Sequence, residues 1–380
     1  MGAAPIPLCV PCLDGDEREW LLRALDSTFV STVGPFVEQF EREFATAVGS
    51  PHAVACATGT AAIHLALRAL GVAAGDLVLC SDFTFIASAN PIRYQGAEAG
   101  FIDSSPDGWN LDPAVLAQAL DALAAEGRLP KAVVAVHILG QPADLGPILD
   151  ACARHAVPLI EDAAEALGAS YTTDYPHAAC RGHQVGTIGR IGCFSFNGNK
   201  LITTGGGGMV VTGYPLLAAR IKHLSTQAKL PGLAFVHDEA GYNYRLPNLN
   251  AALGLAQLRR LDAFLARKRA IAARYRALAT ELGWTYQPTT RGTLPSDWLC
   301  SIAVGPARDR LLASLVDAGI GARPCWQPVS EQSPYAGSRR WGGRVAHRLA
   351  AEALSLPSSV GLSDGEQDRV LATLRGAIHA

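Results

Sequence analysis

The stretch FSFNGNKLITTGGGG, Phe194–Gly208, places one lysine, Lys200, between an Asn/Gly turn and a run of four glycines. Lysine is scarce in this 380-residue chain. Only Lys131, Lys200, Lys222, Lys229 and Lys268 occur, and arginine carries the rest of the positive charge. Before Lys200, IGCFSF (191–196) reads as an apolar strand, and after it GGMVVT (207–212) reads as another. A Walker phosphate loop needs G-x-x-x-x-G-K-[ST]. Lys200 follows Asn199 and precedes Leu201, with no glycine at the required offset, so that reading fails. A lysine delivered by a strand end among Phe194, Phe196 and Leu201 is then either a surface lysine or a reactive amine. Apolar surroundings make a free amine, and hence imine chemistry, accessible. The glycines suit a tight turn into the next strand.

Working outward, short β-type runs alternate with helical patterns. HAVACA leads into TGTAAIHLALRALGV, DLVLCSDFTF into IASANPIRYQ, and KAVVAVHIL into ADLGPILDACARHA. AEAGFID precedes LDPAVLAQALDALAAEG, where Asp112 suits a helix cap and Pro113 its first turn. VPLIEDAAEA completes the series ahead of the quoted stretch. This alternation predicts an α/β domain whose mostly parallel sheet is covered on both faces. From about residue 250 the pattern changes. NAALGLAQLRRLDAFLARKRAIAARYRALATELG reads as one long helix or a kinked pair, followed by WLCSIAV, ARDRLLASLVDAGI and a final helical segment. We therefore expect a large domain over 13–250, a small α+β domain over 251–380 and an N-terminal arm over 1–12. Residues 171–185, YTTDYPHAACRGHQV, read as a polar surface loop.

Composition narrows the function. Hydrophobic residues make up 49% and charged residues 17%, which suits a large buried core and excludes disorder. The formal charge is −2 and no basic stripe occurs, so nucleic acid is not an expected partner. Nine cysteines are scattered; Cys9 and Cys12 have C-x-x-C spacing, but no second pair completes a zinc site, and no metal is expected. The N-terminus has no basic n-region, and Ile6 stands where a myristoylation motif wants Ser or Thr. No apolar run approaches the ~18 residues of a membrane span. The reading is a soluble cytoplasmic protein with no membrane partner.

Two further motifs bear on chemistry. Thr58-Gly59-Thr60 lies between a strand and an amphipathic helix, where free N–H groups and the helix dipole favour an anion. It is a phosphate cup or simply a well-capped helix start. Asp162 falls at the C-terminal end of an apolar strand, where open α/β sheets bind ligands; it can pair with a ring cation or a metal, or cap a helix. A phosphate cup, a strand-end carboxylate and an amine, in that order, match the 5′-phosphate, pyridine nitrogen and aldehyde of pyridoxal 5′-phosphate. Phe85 is placed to stack on its ring.

With those residues in view, the chain resembles the fold-type I sugar aminotransferases of the DegT/DnrJ/StrS group. The resemblance runs through GTAAIHLALRALGV, TFIASANPIRYQGAEAGFID, HILGQPADL, IEDAAEALGA, GCFSFNGNKLITTGGGGMV and GYNYRLPNLNAALGLAQL. Within the group it looks most like the bacillosamine-type and legionaminic-acid-type 4-aminotransferases. The resemblance implies that Lys200 is the Schiff-base lysine and Asp162 the pyridinium partner. It likewise matches Gly59, Thr60 and Ser195 to phosphate-binding positions and Phe85 to the ring-stacking aromatic. Glu165 stands near the ring hydroxyl where many members carry Gln or His. Asn243 matches an asparagine that reaches the phosphate of a neighbouring subunit, implying a homodimer with shared sites. Arg245 is read as a substrate-binding residue or as a structural one. The implied reaction moves an amino group from L-glutamate, which leaves as 2-oxoglutarate, by way of the pyridoxamine 5′-phosphate form. The acceptor is a nucleotide-linked keto sugar, with C4 of a UDP-4-keto-6-deoxy-N-acetylhexosamine as the first expectation, for bacterial glycan biosynthesis. The alternatives are a 3-keto sugar, a GDP-sugar, an aminocyclitol precursor, or a non-catalytic regulator that binds the cofactor. A sugar 3-dehydratase of the same fold carries His in place of the lysine, so Lys200 argues against it. The loop 171–185 is longer than its counterparts in the group.

Overall fold

The computed structural model describes residues 4–378. All seven strands read along the first two thirds of the chain are present. They are β1 (His52–Cys56), β2 (Leu77–Ser81), β3 (Glu98–Ile102), β4 (Ala132–Val136), β5 (Leu159–Asp162), β7 (Ile191–Ser195) and β8 (Gly208–Thr212); a two-residue β6 (Ser170–Tyr171) lies outside their sheet. The main sheet runs β1-β8-β7-β5-β4-β2-β3 and ends on the short strand Arg340–Trp341. Strands β7, β5, β4, β2 and β3 are mutually parallel, and β8 is antiparallel to both of its neighbours. Runs such as AVVAV in β4 and GMVVT in β8 are buried at every residue, because helices cover both faces. The helix Pro113–Ala125 begins as read, with the Asp112 carboxylate accepting from the Ala114 and Val115 N–H groups.

The exit of β7 toward Lys200 is fixed by aromatic packing. Phe194 meets Phe44 at 5.1 Å between ring centroids, and Phe196 meets Phe40 and Phe44 at 5.3 Å, all edge to face. Each such pair contributes about 0.5–1.5 kcal/mol beyond its area. With Phe194 turned to the helix Pro35–Val48, the alternation of a strand sends Ser195 to the opposite face.

The arginine-rich segment is a pair of helices, Asn248–Leu258 and Leu261–Glu281. The expected boundary at 250/251 runs through the first of them. Its Ala251, Ala252, Leu255 and Ala256 belong to the core of the large unit. The second helix spans both units: Leu261, Phe264 and Leu265 pack on the large core, and Ile271, Tyr275 and Leu278 on the small one. The small unit is an antiparallel sheet in the order Arg323–Pro324, Ala353–Leu356, Cys300–Ala303, Thr285–Tyr286. The N-terminal arm joins it, with Ile6 buried and bridged to Ile320; residues 1–3 of the expected arm lie outside the described residues.

The loop 171–185 corrects the surface reading in part. Tyr171, Tyr175, Cys180 and Val185 are buried. The Tyr171 hydroxyl donates to Ala143 O at 2.8 Å and the Tyr175 hydroxyl to Asp144 at 2.5 Å. Two aromatic rings inside a polar-looking stretch anchor it to the large unit, and none of its residues lines the cavity described next.

Candidate active site

The loops leaving the C-terminal ends of the parallel strands surround a cavity of about 360 Å³. Open α/β sheets bind ligands at this edge. Gly59, Thr60, Phe85, Asp162, Glu165, Ser195 and Lys200 all line it. Asn243 and Arg245 do not. Asn243 is exposed beside Thr226, and Arg245 bridges to Cys56 with its Nε buried and unpartnered among the described residues.

Lys200 sits in the turn between β7 and β8, its N–H donating to Asn197 O at 2.9 Å. Its Nζ lies 3.7 Å from Glu165 Oε1 and 3.8 Å from the centroid of the Trp298 ring. The glycine run behaves as read: Gly205 has φ +78°, and Gly208 begins β8 where an added Cβ would lie 2.5 Å from Thr58 O. Asp162 ends β5, only 3% exposed. Its Oδ2 accepts from the Ser88 hydroxyl at 2.7 Å and its Oδ1 from Ala164 N–H at 3.1 Å. Burial pushes its pKa above the ordinary carboxylate value, against these hydrogen bonds and the Lys200 charge. Glu165 accepts from Leu139 N–H at 2.7 Å, and burial raises its pKa to about 7 although Lys200 opposes the rise.

Across the cavity, Thr58 caps the helix Gly59–Ala69 by accepting from Ala61 N–H at 3.0 Å. The Gly59 and Thr60 N–H groups ahead of it have no intrahelical acceptor, which suits an anion. A Cβ on Gly59 would meet Ser195 Cβ at 2.7 Å, so glycine is what lets this helix start close on the β7 end.

Sequence reasoning missed part of the wall. Ser88 fixes Asp162 from a stretch read only as helical. Trp298 and Trp326 arrive from the small unit, their rings 6.4 Å apart and nearly parallel, and Phe85 lies 6.4 Å from Trp326. Their one available signal was rarity, as the chain has six tryptophans.

The residues present fit pyridoxal 5′-phosphate. The helix start offers N–H and hydroxyl donors in a cradle that a Cβ would fill, and the buried Asp162 carboxylate is bonded to Ser88 and Ala164 and, among the described residues, touches no cation. Fold and site chemistry together define a fold-type I aminotransferase that depends on this cofactor. The profile of the DegT/DnrJ/EryC1/StrS aminotransferase family matches residues 11–375, and the chain belongs to that family. It is 40% identical to EpsN of Bacillus subtilis (strain 168), named as a pyridoxal phosphate-dependent aminotransferase, over 98% of this chain and 96% of that one. It is 38% identical to the GDP-perosamine synthase of Caulobacter vibrioides, over 97% of each chain. Among solved structures, the aminotransferase TlmJ from Streptoalloteichus hindustanus matches with a TM-score of 0.89 and 29% identity over 99% of each chain. Among the described residues no helix is long and apolar enough to cross a membrane.

Proposed function

We propose that the protein transfers an amino group from L-glutamate to a keto carbon of a nucleotide-linked sugar, supplying an amino sugar for bacterial glycan assembly. The observation that carries this reading is the single cavity onto which the Lys200 amine, the buried Asp162 carboxylate and the open helix start at Gly59 all face. When bound, pyridoxal 5′-phosphate supplies an aldehyde that carries the amino group and a ring that withdraws electrons from the reacting carbon. Gly59 and Thr60 hold its phosphate through N–H groups, with the Thr60 and Ser195 hydroxyls as further donors. Asp162, kept in place by Ser88 and Ala164, holds positive charge opposite its own. The Lys200 Nζ takes the proton from the carbon that bears the amino group in the donor and later delivers one to the acceptor carbon. Glu165, whose pKa burial raises to about 7, lies 3.7 Å from that amine and answers its charge when ionised. Phe85, Trp298 and Trp326 give the cavity around the amine an aromatic wall. Asn243, outside its own cavity, reaches the phosphate of a second copy, so the active form is a homodimer. Arg245, likewise outside its own cavity, would meet a substrate's negative charge only across that dimer and otherwise serves the fold.

Two acceptors carry specific support. The resemblance to the 4-aminotransferases supports C4 of a UDP-linked 4-keto-6-deoxy-N-acetylhexosamine. The 37% and 38% identities to GDP-perosamine synthases support a GDP-linked keto hexose. The test is a panel of UDP- and GDP-linked keto sugars with glutamate, products being identified by mass spectrometry and NMR. Amination of one nucleotide series at least tenfold faster decides between them, and amination of neither overturns the nucleotide-sugar reading.

A further inference from the structure

Lys268 takes no part in the chemistry above, yet it is a lysine only 1% exposed. It lies on the helix Leu261–Glu281, and its Nζ is held by neutral groups. It donates to Trp298 O at 2.7 Å and to Ser358 O, and it lies 3.7 Å from Cys9 Sγ. An ammonium buried this way is expensive in desolvation, and a neutral side chain of similar length would avoid that penalty.

Both Lys268 partners that lead away from it end on the same atom. The Cys9 thiol donates to Asn199 O at 3.2 Å, and the Trp298 indole Nε1–H donates to Asn199 O at 2.6 Å. Asn199 immediately precedes Lys200, and the Trp298 ring lies 3.8 Å from the Lys200 Nζ. The N-terminal arm, the small unit and the lysine turn of the large unit thus meet at one carbonyl. Lys268 is the group that grips both donors.

We propose that Lys268 is a positioning residue: it fixes Trp298 and Cys9 against Asn199 and so sets the place and exposure of the Lys200 amine. The proposal rests on the assignment of Lys200 as the working amine. Without the Lys268 grip on its carbonyl, the backbone at Trp298 shifts and carries the indole away from Asn199 and from Lys200. The amine then loses its aromatic face and its fixed approach to the reacting carbon.

The test begins with the cofactor-free protein. Lysines are reductively methylated with limiting formaldehyde and cyanoborohydride, and each peptide is quantified by mass spectrometry, with Lys131, Lys222 and Lys229 as internal references. In Lys268→Met the Lys200 labelling rate rises about threefold or more, the scale of a lost cation–π contact, while the reference rates stay unchanged. Trp298→Phe, which keeps a ring but removes the indole donor, raises it as well. The combined variant labels no faster than the larger single effect, because both changes act on one element. In turnover, Lys268→Met lowers kcat about tenfold and leaves the KM of the amino donor within about twofold, as misplacement of a reacting group does. An unchanged Lys200 rate in folded Lys268→Met, effects that multiply in the combined variant, or a KM change with intact kcat overturns the proposal. If Lys268→Met does not fold, Lys268→Gln, which retains a donor for one carbonyl, is held to the same criteria. The labelling result does not depend on the reaction, whereas the turnover of Lys200→Ala reports on the assignment of Lys200.

Discussion

Glu165→Gln separates stability from chemistry at the centre of the site. Burial raises the Glu165 pKa from its ordinary 4.5 to about 7 in the cofactor-free fold, with Lys200 and the Leu139 N–H only partly opposing it. A carboxyl whose folded pKa lies above its unfolded one binds more protons when folded. Its contribution to stability is fully present below pH 4.5 and is lost as pH rises through about 7. At 1.36 kcal/mol per pKa unit the whole change is on the order of 3 kcal/mol. Glutamine cannot titrate, and its carbonyl can still accept from Leu139 N–H. The stability of Glu165→Gln minus that of the wild type therefore climbs between pH 4.5 and about 7 and levels off above pH 8, by up to about 3 kcal/mol. Urea unfolding of the cofactor-free proteins at pH 5, 6, 7 and 8 measures this difference, in which the titrating groups remote from Glu165 cancel and only Lys200 and Asp162, whose charges act on it, add to the change. A difference that is flat with pH, or that falls as pH rises, refutes the placement of Glu165 as a buried carboxyl with a raised pKa.

Three further changes have distinct outcomes. Lys200→Ala removes the amine, so turnover falls by about 10²–10⁴ or more and the cofactor no longer survives gel filtration on the protein, checked by absorbance and by a coupled glutamate assay. Asp162→Asn weakens cofactor binding by about 10²–10⁴-fold, the scale of breaking a buried charge pair. The urea midpoint of its cofactor-free form at pH 7 stays level or rises, because burial already holds the Asp162 carboxyl above its ordinary pKa. Gly59→Ala drives a Cβ to 2.7 Å from Ser195 Cβ, an overpacking of about 1–3 kcal/mol. It weakens binding of pyridoxal 5′-phosphate far more than binding of pyridoxal, which has no phosphate to seat; titration with the two compounds checks this.

What could be read without coordinates follows the range over which each signal acts. The strands of the large sheet are continuous apolar runs bounded by turns, and the Asp112-Pro113 start of a helix is written in adjacent residues. Lys200, Asp162 and the Gly59 turn lie at strand ends, so the strand pattern alone sends them to one edge. The rest depends on distant chain segments. Arg340–Trp341 closes the outer edge of the main sheet beside β3 with only two residues, too few to show a period. Trp298 and Trp326 reach the cavity only because the small unit folds back onto the large one. The loop 171–185 looks polar because polar residues outnumber its two tyrosines, yet those two rings decide where it packs. The long arginine-rich segment, read as one helix or a kinked pair, forms the pair, but the position of the break was not legible. Helical periodicity continues past Arg259–Arg260, and the residues on both sides of the break pack on the same core, so the apolar pattern does not place it.

The same residues that make the site reactive leave it ill-satisfied when it stands alone. Asp162 and Glu165 are both buried, both pushed upward in pKa by that burial, and both answered by the single charge of Lys200. Across the cavity, N–H groups of a helix start await an anion. A ligand carrying a phosphate at one end and a ring cation at the other answers both deficits at once. Its binding energy thus includes relief of a penalty built into the folded chain, not only new contact. By linkage, a ligand bound by the folded form alone stabilises it by about 2.7 kcal/mol at a free concentration 100 times its Kd. Because Trp298 and Trp326 wall the cavity from the small unit while Asp162 and Gly59 belong to the large one, that stabilisation acts on the junction between the two. Differential scanning calorimetry with added pyridoxal 5′-phosphate should then shift both units together, as one transition. Two separate transitions, with only one moved by the ligand, would show that the tryptophans touch the cavity without coupling the units.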